Sequence, residues 1–257
     1  MNHSQSSRGA RLNYLSDATV IADTLRAYTV ESLLLGNPAN RSMAWAIRHR
    51  QTPIDHLILA SLNAPGPVVG LLTAQDRVTD RGDPFLLLDN AMIDATAITG
   101  RELGRMLAMM IVRIIDFRRM PTAIAARTQT PALARALRDI SRRAIGASFY
   151  PEPDAAAIPL GTGALAYRIA RSLGSPARFE ATAAALRVRA SAGSGPIALD
   201  ASPCLAVLDL RGVREDALVE ATRHIYRART ERPVVQPLPV TPLPFPSRLF
   251  TDAKMTV

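Results

Sequence analysis

Lysine is almost missing from this chain: of 31 basic residues one, Lys254, is lysine and the rest are arginine. Against 22 acidic residues this leaves a net charge of +9, which would ordinarily point to an acidic partner. Aromatic residues are scarce too, at 5% of the chain. The arginines are spread, with no clusters denser than Arg118-Arg119 and Arg142-Arg143, and no aromatic residues interleave them as base stacking requires. Nucleic acid is therefore not an expected partner, and the arginine skew fits a GC-rich coding bias as well as it fits binding. The one cysteine, Cys204, excludes an internal disulfide and a cysteine metal site. Its neighbours Leu205, Ala206 and Val207 make it read as a buried structural residue. His49 and His56 lack the spacing of metal ligands and read as surface or rim residues, so no metal is expected. No apolar run approaches the ~20 residues of a membrane span. The polar head MNHSQSSRGARLNYL has no apolar signal core, and a cytoplasmic location is expected.

What is present is an alternation of strand-like and helix-like stretches. Arg11 to Leu15 suits a short strand, and Asp17 reads as the N-cap of a helix through Ile21, Leu25 and Tyr28 toward Leu35. Gly36-Asn37-Pro38 stops it, and a second helix fits Arg41 to Arg50. His56 to Leu62 and Val68 to Ala74 are apolar runs joined by a proline and glycine turn cluster, the pattern of antiparallel strands. Phe85 to Ile93 is a third such run. Leu103, Leu107, Met110, Ile111 and Ile114 then recur at helical spacing from Gly100 to about Arg118. Thr122 to Ala126 is a short fifth strand, and Pro131 opens a helix that puts Ala132, Leu133, Ala136, Leu137 and Ile140 on one side.

The joint between the Phe85 strand and its helix, Thr99-Gly100-Arg101-Glu102-Leu103-Gly104, places glycines beside the unpaired N–H groups of a first helical turn, an arrangement suited to phosphate. It resembles the pyrophosphate-binding turn of the GNAT superfamily, the GCN5-related N-acyltransferases, whose pattern is Gln/Arg-x-x-Gly-x-Gly/Ala. Gly104 matches, while Thr99 replaces Gln or Arg and Glu102 replaces the central glycine. A second reading of the same residues makes Gly100 a turn residue and Gly104 a close helix-packing point. The order strand, helix, helix, three strands, glycine joint, helix, strand, helix is also similar to that fold. So are Thr128-Gln129-Thr130-Pro131 and Tyr150-Pro151, which resemble the Thr-Gln/Arg-Asn-Pro and Tyr-Pro segments of divergent members.

The resemblance implies an α/β fold, a GNAT-like mostly antiparallel central sheet flanked by helices with a C-terminal extension. It divides the chain into an acyl-CoA-binding domain over 1–154, an extension over 155–232 and a proline-rich tail over 233–257. In the extension, Ala164 to Leu173, Glu180 to Arg187 and Val213 to Arg229 read as helices and Cys204 to Leu208 as a strand. In the tail, six prolines between Arg232 and Pro246 favour an extended arm. The implied activity is acyl-CoA-dependent N-acyl transfer to a small amine or amino-acid-like acceptor, by direct attack on the thioester. Strands four and five are expected to splay near Ile93 and Ala125. Carried over, the pantetheine lies along Met92, Ile93 and Asp94, and the pyrophosphate lies at Gly100, Leu103, Gly104 and Arg105 with Arg101 and Arg105 as charge partners. Thr130 opens the helix after strand five where the family has asparagine. The tyrosine acid of many members falls at Leu137; Tyr150 is the acid candidate, though Phe149-Tyr150-Pro151 reads equally well as an aromatic anchor for the turn, and Asp94 and Glu31 are base candidates that read also as surface or helix-face carboxylates. The expected partner is a small-molecule acceptor, with no membrane and a homodimer allowed. The other function that fits is a GNAT-like scaffold that has lost CoA binding and serves as a binding or regulatory protein.

Overall fold

Asp17 starts the first helix as its chemistry requires. In the computed structural model of the chain, strand β1 (Arg11–Leu15) is followed by helix α1 (Ala18–Leu34). The Asp17 carboxylate accepts the Val20 N–H at 2.9 Å and its carbonyl accepts the Ile21 N–H at 2.8 Å, which satisfies donors that a first turn leaves without partners. The structure describes residues 10–34, 53–62, 68–94, 100–117, 120–128, 131–151, 160–174, 177–180, 185–188 and 204–227. The expected helix Arg41 to Arg50, His49, Thr130 and the proline-rich tail lie outside them.

The remaining elements are β2 (His56–Ser61), β3 (Val68–Val78), β4 (Pro84–Ile93), α2 (Gly100–Phe117), β5 (Ala123–Thr128), α3 (Pro131–Ser141), β6 (Ser148–Tyr150), α4 (Leu160–Ser172), β7 (Ala177–Glu180), β8 (Ala185–Val188), β9 (Cys204–Asp209) and α5 (Glu215–Arg227). They build one sheet in the order β1-β2-β3-β4-β5-β9-β8-β7, with β6 also paired to β9. Only β4 and β5 run parallel; every other described pair is antiparallel. This is the mostly antiparallel α/β architecture expected from the order of the elements.

One segment differs from expectation. Glu180 to Arg187, expected as a helix, instead supplies parts of β7 and β8, which pair from Ala177↔Val188 to Glu180↔Ala185. Helix propensity is worth only a few tenths of a kcal/mol per residue over alternatives, and strand pairing outweighs it at Ala185–Val188, where β8 joins β9 at Arg187↔Cys204. Cys204 to Leu208, read as a strand within the expected extension, is part of β9, which completes the sheet by pairing with β5, β6 and β8. It therefore shares the sheet and core of the preceding part.

Alternation along the strands divides the core between two faces. On one, α2, α3 and α5 cover Ile58, Leu72, Leu86, Leu88 and Ile124 of the sheet with Leu103, Leu107, Leu137 and Leu218. The opposite face carries two smaller clusters. One, under α1, is built on Ile21, Leu25, Leu57, Leu59 and Leu71. The other, under α4, is built on Phe85, Leu87, Ala123, Ala125, Leu165 and Ile169. His56, expected at the rim, is fully buried. Its burial is tolerated because both ring nitrogens are bonded: Nε2 donates to Asp76 Oδ1 at 3.1 Å, and Nδ1 is hydrogen-bonded to the Tyr14 hydroxyl at 2.9 Å.

Candidate functional site

The Phe85 strand reads as an unbroken apolar run except for two consecutive polar residues, Asp89 and Asn90, and the structure turns on that pair. In the β3–β4 register Thr73 faces Asn90 while Ala74 faces Leu88, so Asp89 is an extra residue, a β-bulge. A bulge shifts the phase of alternation. Before it, Leu86 and Leu88 point to the α2 face; after it, Ala91 and Ile93 do. Asp89 and Asn90 thus share the opposite face. There Asn90 bonds the Thr73 hydroxyl at 3.2 Å through its backbone N–H and through its amide.

β4 and β5 pair over four positions, from Phe85↔Ala123 to Leu88↔Ala126, and their ladder then stops. Both strands continue, β4 to Ile93 and β5 to Thr128. At the point where the next pair would form, Arg127 Nη2 donates to Asp89 Oδ1 at 3.3 Å. The other carboxylate oxygen accepts the Gln75 amide at 3.3 Å. Thr73, Gln75, Asp89, Asn90 and Arg127 form a polar seam between the cluster under α1 and the cluster under α4. The ladder stops directly after Leu88 and Ala126, so Ala125, where a splay was expected, is still inside it. Beyond it, the β5-facing edge of β4 has no ladder partner among the described residues.

The described part of the glycine joint, from Gly100, follows β4 in the chain. Gly100 is the first residue of α2, so the N–H groups without an acceptor in the helix are those of the first turn, Gly100 to Leu103. Gly104 follows one residue later and is buried. It faces Ile225 of α5 and Ala136 of α3. Leu103 is fully buried. The Glu102 carboxylate accepts Arg105 Nη1 at 2.6 Å, with the Arg105 side chain 14% and the Glu102 side chain 15% exposed. Glu102 and Arg105 are thus engaged with each other, and the Arg101 side chain lies outside the described residues.

The other expected site residues scatter. Met92 packs against the cluster under α1, and Ile93 against the cluster under α2. Asp94 follows β4 and its N–H bonds the Val69 carbonyl at 2.7 Å. Glu31 lies on α1. Leu137 is fully buried among the α2-face residues. Tyr150 is also fully buried, but on the opposite face under α4; this is the position of a core side chain. The sequence reading does not include the polar seam. Its signal is the adjacent polar pair inside FLLLDNAMI, which strict alternation would place on opposite faces of a strand apolar on both. Among the described residues no group of three metal-ligating side chains is present, and no helix is long and apolar enough to cross a membrane.

No family model matches the chain, and no curated protein does. Among solved structures, an acetyltransferase of the GNAT family from Staphylococcus aureus Mu50 is similar at 12% identity and a TM-score of 0.33, over 56% of this chain and 89% of that one. At that score the likeness carries no argument about function, and the functional reading rests on this chain's own strands.

Proposed function

We propose that the chain is an acyl-CoA-dependent N-acyltransferase whose acyl donor lies in the β4–β5 splay. The observation that carries this reading is the ladder that ends after Leu88 and Ala126 while both strands go on. An open strand edge offers amide and carbonyl groups at the repeat of a pantetheine arm, along Asp89 to Ile93. The first turn of α2, Gly100 to Leu103, comes next in the chain after β4, and in this reading its N–H groups take the pyrophosphate.

The reaction begins with an acceptor ammonium, which loses one proton so that its nitrogen lone pair can attack the thioester carbonyl. The C–N bond forms, the C–S bond breaks, and the thiolate leaves with the electron pair. The nitrogen's second proton goes to sulfur, giving an amide and free CoA, with the first proton released to solvent. Asp89 stands at the opening of the splay and is the group to receive the ammonium; Asp94 lies farther along, just past the end of the strand.

The scaffold reading is favoured by one observation, the Glu102 to Arg105 bond at the turn that would hold the pyrophosphate. Calorimetric titration of the protein with acetyl-CoA and longer acyl-CoAs separates the two. Saturable binding followed by release of CoA thiol on adding an amine is expected. Absence of binding for every acyl-CoA would replace the enzyme with the scaffold.

A further inference from the structure

Helix α4 is apolar on the side it buries and also on the side it shows. Thr162, Leu165, Ala166, Ile169 and Ala170 form the buried side, which covers Phe85, Leu87, Ala123 and Ala125 of the sheet. By helical spacing, Leu160, Gly163, Ala164, Tyr167 and Arg171 make up the opposite face. Leu160 is 93% and Tyr167 51% exposed; Ala164 and Arg171 are exposed as well. No charged side chain occurs from Leu160 through Tyr167, although the chain carries a net charge of +9. Ile145, 86% exposed, is joined to this face through the turn at Arg211 and Gly212, which Gly161 and Gly146 respectively approach.

We propose that the chain is a homodimer built on this face of α4. Exposed to this degree, Ile145, Leu160 and Tyr167 offer on the order of 400 Å² of side chain per copy, the size at which an apolar patch on a soluble protein marks an interaction site. That is about half of the ~800 Å² each partner buries in a standard interface, and Ala164, Gly161 and the aliphatic stem of Arg171 lie alongside to supply more. The centre of the face has no charge with which to hold a nucleic acid or an anionic lipid surface. What it matches is itself. Two large residues, Leu160 and Tyr167, stand equally far along the helix from a small pair, Gly163 and Ala164. A two-fold axis between positions 163 and 164 sets α4 antiparallel to its copy and places Leu160 of each chain against Tyr167 of the other, with the backbones approaching over the small residues. Two copies that each carry +9 meet there without like charges at the centre of the contact. The dimer does not depend on the acyl-transfer reading.

Sedimentation velocity of the full chain between about 1 and 200 µM is expected to show a concentration-dependent dimer. Leu160→Glu and Ala164→Glu should each weaken dimerisation by about tenfold or more. Both should keep the circular dichroism and cooperative melting of wild type, because the positions are exposed and glutamate is a good helix former, favoured near a helix N-terminus. Ala164→Arg should also be monomeric alone, and mixing it with Ala164→Glu should restore a dimer, since the axis brings position 164 of each chain beside that of the other. A wild-type chain that stays monomeric over the whole range would overturn the inference. So would a dimer that forms as well in Leu160→Glu as in wild type, which would place the interface elsewhere, or a mixture of the two Ala164 variants that remains monomeric.

Discussion

Gly104 of α2 meets Ile225 of α5 with no side chain of its own between them: a Cβ at position 104 would stand 3.7 Å from Ile225 Cγ2 and 3.8 Å from the Ala136 Cβ of α3. These are ordinary van der Waals separations, so alanine fits. Gly104→Ala is expected to stabilise the protein by up to about 1 kcal/mol through helix propensity, seen as a melting temperature higher by about 2–4 °C. Acyl-CoA affinity should stay within about twofold if the pyrophosphate sits on the first turn. A loss of about tenfold in calorimetry would put the phosphate against Gly104 itself. Gly104→Glu is a poorer probe, because it drives a carboxylate between α2, α3 and α5 and should lower stability by several kcal/mol.

Glu102 is expected to affect stability and binding in opposite directions. Glu102→Gln removes a negative charge from the first turn of α2 and releases Arg105 from its 2.6 Å bond. Helix stability should fall by about 0.3–1 kcal/mol, because an acidic residue near a helix N-terminus and its i,i+3 pair are both lost. Acyl-CoA affinity should rise several-fold, an effect of about 1 kcal/mol. Chemical denaturation and calorimetry on the same preparation read the two effects, and unchanged affinity would remove this turn from the donor site.

Asp209 should give the fold an acid-sensitive step. Burial pushes its carboxyl up, but the hydrogen bonds and charge of Arg211 and the Thr162 hydroxyl more than offset this and hold it below the ordinary carboxylate value. A carboxyl depressed in the folded state contributes stability that is present above its unfolded pKa of ~3.9 and is lost as pH falls through the folded value. Asp209→Asn is expected to cost about 1–2 kcal/mol near pH 7, allowing for the partial exposure of Arg211. The difference from wild type should shrink as the pH is lowered below about 4. A constant difference between about pH 7 and pH 3 in denaturation would show that ionisation of Asp209 contributes nothing.

Tyr150 lies in the core under α4, and its substitution should report on packing. Tyr150→Phe is expected to change stability by about 1 kcal/mol or less and to leave kcat within about twofold. A general acid contributes ~10²–10⁴ in rate, so a fall of about a hundredfold in kcat with the fold intact would return the acid role to Tyr150.

Local signals determined much of the scaffold. Arg11 to Leu15, the Asp17 cap, the helix from Gly100 and Pro131 at the start of α3 all rest on contacts within a few residues, where side-chain spacing and capping chemistry leave few alternatives. The antiparallel run β2-β3-β4 was legible because short apolar segments separated by turn residues have few other ways to bury themselves. Tertiary structure decided what depends on distant partners. Ala185 to Arg187, read as the end of a helix, became part of strand β8, which joins β9 at Arg187↔Cys204. Gly104 became a packing point because α5, far along the sequence, lies against it. The polar seam needed three strands at once: Asp89 was visible as a charge in an apolar run, but only the bulge against Thr73 and Ala74 turned it, with Asn90, to the face where Gln75 and Arg127 meet it.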